Sequence, residues 1–348
     1  MKIIQITNDW HPSKGGISSY VSNLFEEINK SENRIKVISN VSENKMNRFL
    51  FIFRCLYKLC KEKPDIIHTH GSWEVSFPAI IYKKFYPRTR IIHTHHTEPL
   101  DNKFTGLKKL IYEKIVWKYD ANVFVSKSLM KSYSYYNIDN KKTVIYGAAR
   151  EQKINPKQID KFKEKFGIKV NDVVITYIGN FSWTMKSKGV ELLILGLLPI
   201  LRKNNNVKIL IVGDGPCRKS IVELVNKLNI QERVVFTGTL DNVYISLQAS
   251  TIYAHITFQD AFPLTVLEAM VSKVPIVASK IGGIPEVIDH MHNGILVKNN
   301  EIAIRKAILS ILKNSRLKKR LIEEAYKKVN SEYSWKITAS KYLEIYKE

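Results

Sequence analysis

Short β-branched apolar runs alternate along this chain with longer stretches whose apolar positions recur every three or four residues; the first pattern predicts strands and the second helices. Six runs of the first kind fill the opening half: Lys2–Thr7, Ile35–Ser39, Asp65–His70, Arg90–His95, Ala121–Ser126 and Thr143–Tyr146. Polar residues from Arg150 to Asp160 carry no strand signal, and then the alternation restarts. Val173–Gly179, Lys208–Val212, Arg233–Thr237, Thr251–Thr257, Pro275–Ser279 and Gly294–Val297 are its six strands. Strands separated by helices make parallel, doubly wound sheets, so the expectation is an α/β chain of two similar domains, residues 1–152 and 153–330. Residues 331–348 read as a final helix carrying Trp335, Ile337, Tyr342 and Ile345 on its apolar side.

Composition changes this picture in one respect. At 348 residues and 45% hydrophobic the chain can build two cores, but 55 Lys and Arg against 32 Asp and Glu leave a formal charge of +23. Such a surface attracts nucleic acid, anionic lipid or phosphorylated substrates, and charge alone does not choose among them. Three cysteines, Cys55, Cys60 and Cys217, form no CxxC pair and argue against a disulfide framework or a structural zinc site. Lys2–Thr7 follows Met1 with no secretory leader, and the longest apolar segments, such as Ile194–Leu201, are too short to cross a bilayer. A cytoplasmic protein is expected, free or resting on a membrane. Residues 45–63, and more weakly Lys103–Lys118, are both apolar and basic; each suits a helix lying in a membrane interface or one facing a core with solvated lysines.

Candidate chemistry concentrates between Thr257 and Glu286. Asp260 and Glu268 flank Ala261-Phe262-Pro263-Leu264-Thr265-Val266-Leu267, read as a loop and a helix that opens at the proline. Unpaired N–H groups near Leu264 and Thr265, with the positive end of the macrodipole, would make an anion site, and Glu268 lies one turn further in. An ordinary βα unit with a capping aspartate fits the same residues. Gly15-Gly16 and Gly213-Asp214-Gly215-Pro216 each follow an early strand and precede a helix, where glycine lets backbone approach a ligand. The second begins like a dinucleotide fingerprint but has Arg218 where a third glycine belongs, which weakens NAD binding. His68, His70, His93, His95 and His96 gather at strand ends; metal ligation and satisfied core polarity are the two readings. There is no Asp-x-Asp, HExxH or phosphate-binding P-loop.

Taken in order, Gly15-Gly16, Asp65-Ile66-Ile67-His68-Thr69-His70-Gly71, Thr94-His95-His96, Val125-Ser126, Gly179, Lys188-Gly189, Gly213-Asp214-Gly215-Pro216, Phe236-Thr237-Gly238, Asp260 to Glu268 with Ala269-Met270, and Gly282-Gly283-Ile284-Pro285-Glu286 resemble the family 4 glycosyltransferases over nearly the whole chain. The resemblance implies the GT-B architecture: two facing Rossmann-like domains with a cleft between them, an N-terminal acceptor domain, a C-terminal nucleotide-sugar domain, and a last helix crossing back to the first. It implies retaining transfer from a UDP- or GDP-linked sugar without a metal or other cofactor. His96, Lys188 and Asp260 are the catalytic residues so implied, with Gly15, Gly16, Asn180, Gly213, Phe262, Pro263, Leu264, Thr265 and Glu268 completing the donor site. Glu268 would take the ribose hydroxyls and Asp260 the sugar.

Two positions depart from the family. Asn180 stands where an arginine usually joins the lysine on the diphosphate, leaving Lys186 or Arg218 to compensate or Lys188 to carry more of the charge. Asp260 replaces the first glutamate of a pair, which puts the donor sugar in question. The basic, apolar N-terminal half suggests a lipid-linked saccharide acceptor, attachment to the inner face of the cell membrane, and a role in O-antigen, capsule or exopolysaccharide assembly. A GT-B sugar-nucleotide epimerase, a glycogen or sucrose synthase-like enzyme and a basic nucleic-acid-binding protein are the alternatives, the last without an RRM, KH, zinc-finger or helix-turn-helix signature.

Overall fold

The computed structural model describes residues 1–10, 15–40, 47–71, 73–99, 114, 118–134, 136, 141–182 and 184–348. Its chain forms two compact units, Met1–Ala148 with Ser334–Glu348, and Ala149–Tyr333. The division falls four residues before the expected 152/153, and the chain returns to the first unit at Ser334 rather than 331. A helix Ser315–Glu332 runs through the expected start of the last element; Ser334 then caps a new helix, Trp335–Lys347, by accepting from the Ile337 N–H. A serine oxygen that satisfies an orphan N–H is what restarts the helix there.

In the first unit, β1 (Lys2–Thr7), β2 (Arg34–Ser39), β3 (Ile66–His70), β4 (Arg90–His95), β5 (Ala121–Phe124) and β6 (Lys142–Val144) lie parallel in the order β2-β1-β3-β4-β5-β6. In the second, β7 (Val173–Ile178), β8 (Val207–Val212), β9 (Val234–Gly238), β10 (Ile252–His255), β11 (Ile276–Ser279) and β12 (Ile295–Val297) take the order β12-β11-β10-β7-β8-β9. Both sheets are parallel and covered by helices, so their strands are continuous apolar runs: β4 reads Arg-Ile-Ile-His-Thr-His with every residue after the first buried. Ile175, Tyr177, Ile209 and Ile211 pack under Leu193, Leu197, Ile304 and Ile308 of the helices Thr184–Lys203 and Glu301–Lys313. Each such side chain contributes about 1.5–3 kcal/mol on full burial.

Each sheet has one place where the chain leaves its first strand in opposite directions, β1 flanked by β2 and β3, and β7 flanked by β8 and β10. Open α/β sheets bind ligands in the crevice past the carboxyl ends of the strands at such a switch point. A ligand there would meet the residues that follow β1, β3, β7 and β10.

Candidate functional site

In the second unit the loops after β7, β8 and β10 are drawn together by glycines. A Cβ on Gly213, whose φ is +126°, would stand 1.8 Å from the Gly179 carbonyl oxygen, and one on Gly189 would stand 1.9 Å from that of Ile256. The first contact laces the turn after β8 to the turn after β7, with the Phe181 N–H donating to Asp214 O and the Cys217 N–H to Phe181 O. The second seats the opening turns of helix Thr184–Lys203 directly on the end of β10. Gly213 is thus explained by backbone packing as well as by any ligand.

That seating separates two lysines. Lys186 turns to Asp260, Nζ to Oδ2 3.9 Å, while Lys188, exposed on the same helix, makes no ion pair or hydrogen bond among the described residues. Positions two apart on a helix point about 200° apart, so the pair cannot serve one group. Arg218 is committed elsewhere: Nη1 lies 3.6 Å from Asp214 Oδ2 and the guanidinium sits 5.3 Å over the Phe236 ring. Asn180 is exposed, and its Oδ1 accepts from the Ser182 N–H at 2.8 Å, which leaves only its amide NH2 to offer. Neither suggested compensation for the missing arginine is in place, and of Lys186, Lys188 and Arg218 it is Lys188 that makes no ion pair among the described residues.

The helix after β10 begins one residue later than expected. Pro263 (φ −89°, ψ 85°) is its N-cap and Leu264–Val271 its body. The Leu264 N–H turns back to the Phe262 carbonyl at 3.2 Å, so it does not point outward with its neighbour. Thr265, the second helical residue, is where an anion would meet the helix start. Its Oγ1 accepts from the Tyr253 hydroxyl at 2.8 Å. Phe262 is half-buried, its ring 6.2 Å from that of Tyr333.

The two carboxylates live in opposite surroundings. Burial by itself would raise Asp260, but the hydrogen bond and charge of His255, then Lys186, outweigh it and hold the carboxyl below its ordinary 3.8. His255 Nε2 lies 2.9 Å from Asp260 Oδ2. This histidine, fully buried on β10, was not among the residues expected at the site. Glu268 has no hydrogen bond or ion pair among the described residues, and burial pushes its carboxyl up to about 7.

The raised carboxyl gives a prediction for stability. Held above an ordinary 4.5 in the folded state, Glu268 keeps its proton longer there than in the unfolded chain, so its contribution is undiminished below about pH 4.5 and is lost as pH rises to about 7. The loss is about 2 kcal/mol, less than the whole shift implies because the side chain is half-buried. Urea unfolding at pH 5 and pH 8 should show Glu268→Gln gaining on the unsubstituted protein by that amount between the two; parallel curves would remove the account.

In the first unit Gly15 and Gly16 open the helix Gly16–Asn29 with no side-chain cap, and a Cβ on either would meet no described atom within 4 Å. No contact within the described fold requires glycine there. One turn on, Tyr20 stacks edge-on against His96 with centroids 4.8 Å apart, and His96 Nε2 lies 3.1 Å from His70 Nδ1. Burial first, then His95, lowers His96 to about 3, so it is uncharged near neutral pH. The other imidazoles are built into the fold: His68 between the Tyr346 hydroxyl (2.6 Å) and Thr94 Oγ1 (2.7 Å), His93 on Thr69 Oγ1 (2.7 Å), His95 on Asn122 Oδ1 (2.9 Å). Among the described residues no three His, Cys, Asp or Glu side chains converge as they would on a metal ion. Among the described histidines, His70 Nε2 is the ring nitrogen buried without a hydrogen-bond partner.

The model of the glycosyltransferase family 4 matches residues 15–149 and that of the glycosyl transferases group 1 matches residues 158–328, between them covering both units. N-acetyl-alpha-D-glucosaminyl L-malate synthase of Bacillus anthracis is 28% identical over 291 residues, 82% of this chain and 75% of that protein. The O-antigen biosynthesis glycosyltransferase WclY of Escherichia coli is 23% identical, over 84% of this chain and 78% of its own length. Among solved structures, Anabaena HepE in complex with UDP and glucose superposes with a TM-score of 0.82 over 99% of each chain at 17% identity, which shows the fold. With two Rossmann-like sheets, the GT-B neighbours and both family models in agreement, the chain belongs to the group 1 glycosyltransferases of family 4, and it is an enzyme of that class.

Proposed function

We propose that this enzyme moves a sugar from a UDP- or GDP-linked donor to a saccharide carried on a lipid, with retention of the anomeric configuration and without a metal. The observation that carries the reading is that, past the carboxyl ends of β7 and β10, a cation and a carboxyl, Lys188 and Glu268, make no hydrogen bond or ion pair among the described residues. They match a diphosphate and a ribose hydroxyl. Breaking the bond between the anomeric carbon and the β-phosphate oxygen leaves negative charge on the diphosphate; Lys188 and the helix start at Thr265 meet it as it develops. On the same face of the sugar the leaving oxygen takes the acceptor's proton as the new bond forms, so no side chain need act as base. The UDP and glucose in the HepE complex and the O-antigen assignment of WclY support this choice of donor and of a surface polysaccharide as product.

Release of nucleotide that depends on both a nucleotide sugar and a candidate acceptor tests the class, and an NMR spectrum of early product tests the stereochemistry. An inverted anomer sinks the retaining mechanism, and nucleotide release indifferent to acceptor sinks the transfer.

A membrane face for the acceptor is part of the proposal. Asn47 caps the helix Arg48–Glu62, whose Phe51, Ile52, Cys55 and Leu59 enter the core, as a core-facing helix requires. A second stripe does not: Phe49 (70% exposed), Leu50 (60%), Phe53 (68%) and Tyr57 (70%) lie open to solvent beside exposed Arg54 and Lys61. Four large apolar side chains at helical spacing among basic ones suit anionic headgroups. The similar reading of Lys103–Lys118 lies almost wholly outside the described residues, and no helix among those described is long and apolar enough to cross a membrane. Phe53→Asp with Tyr57→Asp should cut co-sedimentation with phosphatidylglycerol vesicles at low salt at least fivefold; binding unchanged from the unsubstituted protein would dismiss this face.

A further inference from the structure

We infer that His255 is a positioning residue of the transfer, holding the Asp260 carboxylate with one ring nitrogen and, through Tyr253, turning the Thr265 hydroxyl proton outward to the donor diphosphate. The inference rests on the reading of Asp260 and Thr265 as donor groups. Four side chains make one continuous chain: Thr265 Oγ1, Tyr253 hydroxyl at 2.8 Å, His255 Nδ1 at a further 2.8 Å, and His255 Nε2 to Asp260 Oδ2 at 2.9 Å. Tyr253 and His255 are sealed, at 0% and 1% exposure, and the Tyr177 ring lies parallel to the imidazole at 6.4 Å, 6° from coplanar. Water therefore cannot substitute for either link.

The directions of the bonds follow from counting protons. Tyr253 has one, and it is donated to Thr265 Oγ1. Its oxygen is then left to accept from His255 Nδ1, while Nε2 faces the Asp260 carboxylate, which can only accept. Asp260 is thereby kept ionised and aimed. Thr265 has an oxygen already occupied, so its own proton is free for a ligand at the helix start. One buried imidazole ties the group assigned to the sugar to the group assigned to the phosphate, five positions further along the chain. It also suits the short aspartate arm, since the chain is complete at hydrogen-bond length.

Four variants and one spectrum test it. His255→Phe should lower kcat roughly 10- to 100-fold, the worth of a charge-assisted bond to a buried carboxylate, while His255→Gln, whose amide can still reach Asp260, should recover most of that loss. Tyr253→Phe breaks only the arm to Thr265 and should raise the donor KM about tenfold with a smaller change in kcat. Equal rates in His255→Phe and His255→Gln would overturn the positioning role. Long-range 1H–15N correlation spectra need no turnover: the Nε2 resonance of His255 should move in Asp260→Asn and the Nδ1 resonance in Tyr253→Phe. A spectrum unmoved by either substitution overturns the chain of bonds whatever the activity. A spectrum that moves in a protein showing no acceptor-dependent turnover upholds the chain of bonds and overturns the donor-site reading on which the inference rests.

Discussion

Lys188→Ala is expected to slow acceptor-dependent release of nucleotide by roughly 10²- to 10³-fold, the range that follows removal of one preorganised charge-stabilising donor. The expectation rests on the different commitments of Lys186, Lys188 and Arg218. Arg218 is held by Asp214 and the Phe236 ring, Lys186 faces Asp260, and Asn180 brings no charge. Lys188 is left to meet the departing diphosphate with the Thr265 end of the helix. Because that charge develops only as the bond breaks, the loss should fall mainly on kcat, with donor KM changed severalfold at most. Lys188→Arg keeps the charge in a different shape and should retain more activity than the alanine variant. Lys186→Ala should behave otherwise: it takes a partner from Asp260, whose second partner His255 remains, so the loss should be near tenfold. Rates within threefold of normal in Lys188→Ala would refute the assignment.

This division between two lysines shows where the sequence stops. The order of strands was legible because a parallel sheet covered on both faces demands unbroken apolar runs, and all twelve predicted runs coincide with strands to within two residues at each end. The motif glycines were legible as close approaches, though what approaches at Gly213 and Gly189 is the chain's own backbone. Which lysine of Thr184-Met185-Lys186-Ser187-Lys188 faces the carboxylate depends on where the helix starts, and helix starts are set by local hydrogen bonds that composition does not reveal. Pro263 illustrates the same point: as the first helical residue it would leave the Leu264 N–H outward, while as N-cap it lets that N–H close on Phe262.

His255 was hidden for a different reason. In Thr251-Ile252-Tyr253-Ala254-His255 it reads as a polar residue in a buried strand, and period two does place Tyr253 and His255 on one face. Nothing in that spacing says that the loop after β10 bends until Asp260 returns to the imidazole. The bend is fixed at a distance: the Gly283 N–H donates to the Asp260 carbonyl, and Gly282, at φ +55°, clears that oxygen, which a Cβ would meet at 1.9 Å. Contacts of this kind join residues more than twenty positions apart. They also place the aspartate, whose short arm left the donor sugar in question, against a partner already tied to the helix start.

Gly189→Ala is expected to destabilise the second unit by about 3–4 kcal/mol, and Gly189→Val by more. Gly189 is helical, so a side chain there costs nothing in backbone conformation; helix propensity alone would make alanine better by up to about 1 kcal/mol. The opposing effect is steric and larger. The added carbon would lie 1.9 Å from the Ile256 carbonyl oxygen, 2.8 Å from its carbon and 3.1 Å from the Thr257 Cα, all backbone atoms at the end of a buried strand that cannot rotate aside. The helix must lift from the sheet, opening the core under Val190, Leu193 and Ile194, each fully buried. Because Lys186 and Lys188 ride on the same turns, the lift also moves both lysines, and activity should fall further than the unfolded fraction accounts for. Gly16→Ala supplies the contrast. Its Cβ meets no described atom within 4 Å, so denaturant unfolding should show stability unchanged or slightly raised. If glycine is kept there to let a ligand approach the helix start, turnover should nevertheless drop about tenfold or more. Urea midpoints and nucleotide-release rates on the two variants separate the roles: stability lost at Gly189 and activity alone at Gly16. A stable Gly189→Ala would mean that the helix Thr184–Lys203 is not seated on Ile256 as described.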